Sequence, residues 1–152
     1  MKVVFAKTET PSAGTLVALV ADGRKLGKLA AQLDKATKGA IARALEASRF
    51  KGGAEEFLTI LAPAGVEVAR VILAGIGQPA KYDALAAQSL GGRLVSALNG
   101  AGEKEAAVWV EGFPDAKLSE AELAANVGYG ARLRSYRFDK YKTKERPEQK
   151  PS

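Results

Sequence analysis

The chain contains no cysteine and no histidine among its 152 residues. The first absence excludes disulfides and thiolate zinc sites. The second removes the side chain most used as a general base or metal ligand, and with it every Ser-His-Asp or Cys-His mechanism within this chain. Any chemistry would fall to carboxylates, lysines, hydroxyls and backbone amides. Long apolar runs are absent too. No stretch approaches the roughly 20 apolar residues needed to cross a bilayer, and Val3-Val4-Phe5-Ala6 is too short for the core of a signal peptide. A cytoplasmic protein without a membrane partner is expected.

What is present is ordinary for one globular domain, with 47% hydrophobic and 26% charged residues. At this length roughly 70% of the unfolded chain's surface can be buried without a metal or cross-link. The formal charge of +6 is unevenly placed. Residues 1–131 carry 15 basic and 14 acidic side chains, whereas 132–152 carry 8 and 3. The basic pI therefore describes one C-terminal segment and not a charged face.

Short valine-rich runs at 2–7 and 15–20, separated by Pro11-Ser12-Ala13-Gly14, predict two strands. The alanine-rich segment 28–49 places Leu29, Leu33, Ile41 and Leu45 at helical spacings, and Thr37-Lys38-Gly39 is expected to divide it. Strands are predicted over Glu56–Ala62, Arg70–Ala74 and Ala106–Val110, and a helix over Tyr82–Asn99, closed by Asn99-Gly100. Ser119 and Glu122 have capping-box spacing, with Leu118 and Leu123 at the staple positions, so a last helix starts there and runs towards Arg134 or beyond. Several strands are apolar on both faces, as strands covered on both sides are. The order β-β-α-β-β-α-β-α predicts an α/β three-layer sandwich with a mixed sheet of five or more strands. A domain over 1–141 is expected, followed by a basic linker or tail over 142–152 that has no apolar residue to pack after Tyr141.

Candidate sites are few. Gly75-Ile76-Gly77 could open a phosphate cradle, but Ala80 stands where G-x-G-x-x-G needs its third glycine, and Pro79 removes a donor; a plain strand-to-helix turn is expected. Gly52-Gly53 reads as a loop that could form an anion nest. Gly91-Gly92, inside a helix, suggests close approach to the sheet, and Gly128 and Gly130 suggest close packing of the last helix. The carboxylate pairs Glu55-Glu56, Glu103-Glu105 and Glu120-Glu122 have no recognisable ligand spacing and are read as solvated faces or helix starts. Tyr136-Arg137-Phe138-Asp139-Lys140-Tyr141-Lys142 alternates aromatic and basic residues, a pattern suited to single-stranded nucleic acid. Arg132, Arg134, Arg137, Lys140, Lys142 and Lys144 are the candidate contacts for that reading, against the plainer one of a helix end capping the core.

These segments together resemble a known family. Gly130-Ala131-Arg132-Leu133-Arg134-Ser135-Tyr136-Arg137-Phe138-Asp139-Lys140-Tyr141-Lys142 resembles the end of the N-terminal domain of leucyl (cytosol) aminopeptidases. Phe50-Lys51-Gly52-Gly53-Ala54-Glu55 resembles that family's F-x-G-K-x-G-E-type loop, and Arg70-Val71-Ile72-Leu73-Ala74-Gly75-Ile76-Gly77 its R-V-x-L-V-G-L-G strand and turn. Ala87 to Leu98 resembles the helix that follows. The resemblance implies a macro-domain-like fold and a non-catalytic domain acting in subunit assembly. It also implies a parent enzyme, a metallopeptidase and hydrolase that removes N-terminal amino acids and assembles as a hexamer. Zinc or manganese would lie in a C-terminal catalytic domain carrying segments such as N-T-D-A-E-G-R, absent here, so no catalytic, cofactor or metal residue is carried over to this chain. The expected partners are that catalytic domain and sister subunits, with DNA as the alternative. An ADP-ribose site is not expected, because Asn99 and Asn126 are the only asparagines and lie far apart in sequence.

Overall fold

The computed structural model describes residues 2–6, 14–100, 102, 105–113 and 116–144, with side chains from residue 14 to residue 134 except Glu105. The strands are β1 (Lys2–Ala6), β2 (Thr15–Ala21), the two-residue β3 (Lys25–Leu26), β4 (Phe57–Leu61), β5 (Arg70–Gly77) and β6 (Glu105–Trp109). The helices are α1 (Lys28–Ala36), α2 (Ala40–Ala47), α3 (Ala84–Gly100) and α4 (Glu120–Lys144). The sheet order is β1-β6-β2-β5-β4, with β3 attached to β2. The β1–β6, β6–β2 and β2–β5 pairs are parallel; β4 joins β5 antiparallel at the edge. The expected mixed sheet between helical layers is therefore observed.

Alternation along β2 sorts the core into two halves. Val17, Leu19 and Ala21 share one cluster with Ile72, Ala74, Val108, and with Leu90, Leu94 and Leu98 of α3 and Leu123 and Val127 of α4. Leu16, Ala18 and Val20 share the other with Val71, Leu73, Trp109, Leu33 of α1 and Ile41 and Leu45 of α2. Both faces of the central strands are buried, which is why β2 and β5 read as continuous apolar runs. Among the described residues no helix is long and apolar enough to cross a membrane.

The helix boundaries follow local chemistry. Thr37-Lys38-Gly39 does divide α1 from α2: Lys38 and Gly39 have φ of 58° and 82°, and the Asp34 carboxylate accepts from the Ala42 amide at 2.9 Å. The Asp83 carboxylate does the same for Ala86 at 2.9 Å at the start of α3. At the start of α4, Ser119 N–H donates to Glu122 Oε1 at 3.0 Å and Glu122 N–H donates to Ser119 Oγ at 3.1 Å. Leu118 and Leu123 belong to the same core cluster, so box and staple both form.

Three sequence expectations are corrected. The strand expected to end at Ala74 continues to Gly77, because the 52–56 loop supplies partners: Gly75 N–H donates to Glu56 O and Gly77 N–H to Gly52 O, both at 2.8 Å. Asn99 and Gly100 lie within α3, and the left-handed residue that follows is Gly102, with φ of 75°. Gly91 approaches α4 and not the sheet, since a Cβ on it would collide with the Val127 carbonyl. The close packing expected of α4 is present at Gly130, where a Cβ would collide with the Gln88 carbonyl of α3. α4 continues to Lys144, three residues past Tyr141.

Candidate functional site

Two surfaces are candidates, and the first lies at the carboxyl ends of the parallel strands. The chain leaves β2 towards the α1–α2 face, and leaves β5 and β6 towards the α3–α4 face. Loops that diverge in this way open a crevice, the usual ligand position in open α/β sheets. Here it is a cleft of about 950 Å³ lined by residues that follow β2 (Asp22, Lys25, Gly27), β5 (Gln78, Pro79) and β6 (Phe113).

The anion-binding chemistry foreseen around this edge is already in use. The amides of Gly75 and Gly77 bond to the neighbouring loop and cannot cradle a phosphate. Gly52-Gly53 is a loop, as expected, and its nest holds this chain's own carboxylate. Glu56 Oε1 accepts from Gly53 N–H at 2.7 Å and from Lys51 N–H at 3.4 Å. Glycine is required at Gly52, whose φ is 85° and where a Cβ would strike the Ala21 carbonyl.

The sequence reading missed Glu111. Its side chain is only 5% exposed, and its two carboxylate oxygens accept from the Leu29 amide at 3.1 Å and the Ala30 amide at 3.2 Å. It thereby caps α1 from 81 or more residues away. The residue in the N-cap position is Gly27, which offers no side-chain acceptor, and α1 has no acid in its first turn. A glycine before a helix that lacks an acidic first turn was the available signal; it says that a cap is needed but not which residue supplies it.

The second surface is the outer face of α3 and α4. Gln88 Nε2 donates to Asn126 Oδ1 at 2.9 Å between the two helices, and Asn126 Nδ2 donates to Glu122 O at 2.8 Å. Beside this junction runs a groove of about 450 Å³ lined by Leu85, Ser89, Gly92, Arg93 and Leu133, among others. Leu85 is 73% exposed, Tyr129 56% and Leu133 40%. Tyr129 and Leu133 are one helical turn apart and share a side of α4. Arg93 is anchored: it stacks 4.5 Å from the Phe57 ring centroid and donates to the Glu55 carbonyl.

Of the proposed nucleic-acid contacts, Arg132 and Arg134 are exposed on α4, while Arg137, Lys140, Lys142 and Lys144 are α4 positions whose side chains lie outside the described residues. Glu120 and Glu122 form the first turn of α4, Glu55 and Glu56 the loop beside β5; the side chains of Glu103 and Glu105 lie outside the described residues. Among the described residues no three acidic side chains stand close enough to hold a metal ion.

An α/β sandwich with helices on both faces of a mixed sheet and a cleft at the strand ends is the class of domain that macro domains define. In structure the chain is similar to the macrodomain of Mycobacterium tuberculosis DarG, with a TM-score of 0.63 at 11% identity over 86% of this chain and 90% of that one. It is similar also to a tomato leucine aminopeptidase variant, with a TM-score of 0.66 at 22% identity over 89% of this chain and 28% of that one. The family model for the cytosol aminopeptidase family, N-terminal domain, matches residues 16–145, and the chain belongs to that family. Among curated proteins it is 36% identical to a probable cytosol aminopeptidase of Caulobacter vibrioides over 100% of this chain and 30% of that protein. It is also 36% identical to one of Rhodopseudomonas palustris over 98% and 29%. The chain thus spans about three tenths of the length of these relatives.

Proposed function

We propose that this domain is the non-catalytic N-terminal assembly module of a longer, cytoplasmic, metal-dependent aminopeptidase. The parent would remove N-terminal amino acids from peptides, using zinc or manganese held in its C-terminal catalytic domain. Residues 1–141 would form the module and 142–152 would lead towards the rest of the protein. The observation that carries this reading is the outer face of α3 and α4, where Leu85, Tyr129 and Leu133 expose apolar surface beside a groove. Apolar side chains gathered on one face mark a contact surface. Relatives more than three times as long supply a natural occupant, the catalytic part of the same protein and its sister subunits in a homo-oligomer, a hexamer by resemblance.

The test uses the full-length protein from the same source, whose native product should be several times heavier than 15.9 kDa. Leu85→Asp and Leu133→Asp together should shift sedimentation from the oligomer towards smaller species. The same pair in this domain alone should leave its melting temperature nearly unchanged, since both side chains are exposed. An unaltered oligomer with unaltered leucine-amide cleavage would remove the α3–α4 face from this role.

A further inference from the structure

We propose that the outer edge of β4 is a self-association surface, on which a second copy of this chain lays its own β4 antiparallel about a two-fold axis at Thr59. This surface is separate from the α3–α4 face and does not rest on the role proposed for that face. β4 ends the sheet, and β5 is its strand partner. The register runs without a shift from Phe57 opposite Ala74 to Leu61 opposite Arg70. Glu56 O accepts from Gly75 N–H at 2.8 Å just before the strand, and Ala62 N–H donates to Ala69 O at 2.9 Å just after it. Peptide groups along an antiparallel strand point alternately to one side and to the other. Glu56, Leu58, Ile60 and Ala62 therefore turn theirs to β5, and Phe57, Thr59 and Leu61 turn theirs outward. Among the described residues no other strand and no loop bonds to the outward amides and carbonyls.

Edge strands are ordinarily guarded by a lysine, a proline, a bulge or a covering segment. Phe57-Leu58-Thr59-Ile60-Leu61 has neither charge nor proline, its register has no bulge, Thr59 is exposed and Leu61 is 70% exposed. The symmetry of the edge names the occupant. Its outward residues are spaced evenly about Thr59, so an antiparallel copy in that register matches every outward donor with an outward acceptor. Thr59 then faces Thr59, and Phe57 faces Leu61 of the second copy, giving an exposed leucine an aromatic neighbour. Charge selects the same arrangement. The Glu56 residues of the two copies stand at opposite ends of the paired strands, roughly 20 Å apart by strand geometry, whereas a parallel pairing would set them side by side. The contact is small, so it is weak between separate chains and gains strength wherever copies are tethered.

Sedimentation and hydrogen exchange of this chain across concentration test the pairing. Between about 10 µM and about 1 mM, a range that registers a millimolar Kd, monomer should give way to dimer. Exchange at the Phe57, Thr59 and Leu61 amides should slow over the same range, while Leu58 and Ile60, already bonded to β5, should not change. Thr59→Pro removes only an outward donor, so it should keep the fold and abolish the dimer. If Thr59→Pro folds poorly, a charge exchange reads the same contact. Thr59→Lys and Thr59→Glu should each be monomeric alone and should form a heterodimer when mixed, because a two-fold axis at Thr59 sets position 59 opposite itself. Leu85→Asp with Leu133→Asp should leave this dimer intact, which separates it from the α3–α4 contact. Two results would overturn the proposal: a wild-type chain that stays monomeric with unprotected β4 edge amides throughout the range, or a dimer that the charge variants at Thr59 leave unaltered.

Discussion

Gly91 of α3 lies so close to Val127 of α4 that a Cβ on it would collide with the Val127 carbonyl. Its neighbour Gly92 has no such constraint, since a Cβ there would meet nothing nearer than 3.8 Å. Two adjacent helical glycines therefore have opposite physical meanings. Alanine normally stabilises an exposed helix interior by about 0.5–1 kcal/mol over glycine. Gly92→Ala should gain up to that amount. Gly91→Ala and Gly130→Ala should instead destabilise by about 1–3 kcal/mol, because α3 and α4 must move apart. Urea midpoints at constant slope measure both signs.

The capping box of α4 makes stability depend on acid. Hydrogen bonding from the Ser119 backbone amide, and secondarily its side chain, holds the Glu122 carboxyl below its ordinary range. The folded pKa is therefore lower than the unfolded one. The stabilisation is complete above the unfolded value and is lost as pH falls through the folded value. Ser119→Ala should cost about 1 kcal/mol near neutral pH but keeps the backbone amide that does most of the lowering, so Glu122→Gln, which removes the titrating carboxyl, should flatten the acid limb of the stability profile. An unchanged acid limb in Glu122→Gln would show that the box does not set it.

Tyr82 should govern the alkaline limb. Its hydroxyl donates to the Ala86 carbonyl at 3.1 Å, and burial pushes its pKa well above the usual value, against a smaller lowering effect of Arg93. In the unfolded chain the phenol ionises near pH 10. Stability contributed by Tyr82 is thus full below that pH and falls as pH rises above it. Ultraviolet titration of the four tyrosines should show one that ionises only as the chain unfolds. Tyr82→Phe should remove that late component while leaving the others in place.

The Glu56 carboxylate should order the glycine loop. Glu56→Gln replaces a charged acceptor at Gly53 with a neutral one, and Glu56→Ala removes it. Hydrogen exchange at Gly53 should quicken in Glu56→Gln and more so in Glu56→Ala. Exchange at Leu73, in the buried centre of β5, should stay slow. Equal acceleration at both positions would mean that the carboxylate supports the sheet as a whole.

The layer order and most helix boundaries were legible in the sequence, because these follow from neighbours in the chain. Apolar runs marked β2 and β5, a turn at Thr37-Lys38-Gly39 divided α1 from α2, and Ser119 with Glu122 marked the start of α4. Such signals act over one or two turns and survive in a linear reading. Where α1 finds its cap, which helix Gly91 touches, and why β5 extends through Gly77 emerge only when the chain has folded. Each of these is a contact between segments remote in sequence. Glu111 meets Ala30 from 81 residues away, and the exposed face of α3 and α4 exists only once the two helices have packed. Local propensity carries no record of such meetings; they are settled when β6 is laid beside β2 and the loop after it reaches α1.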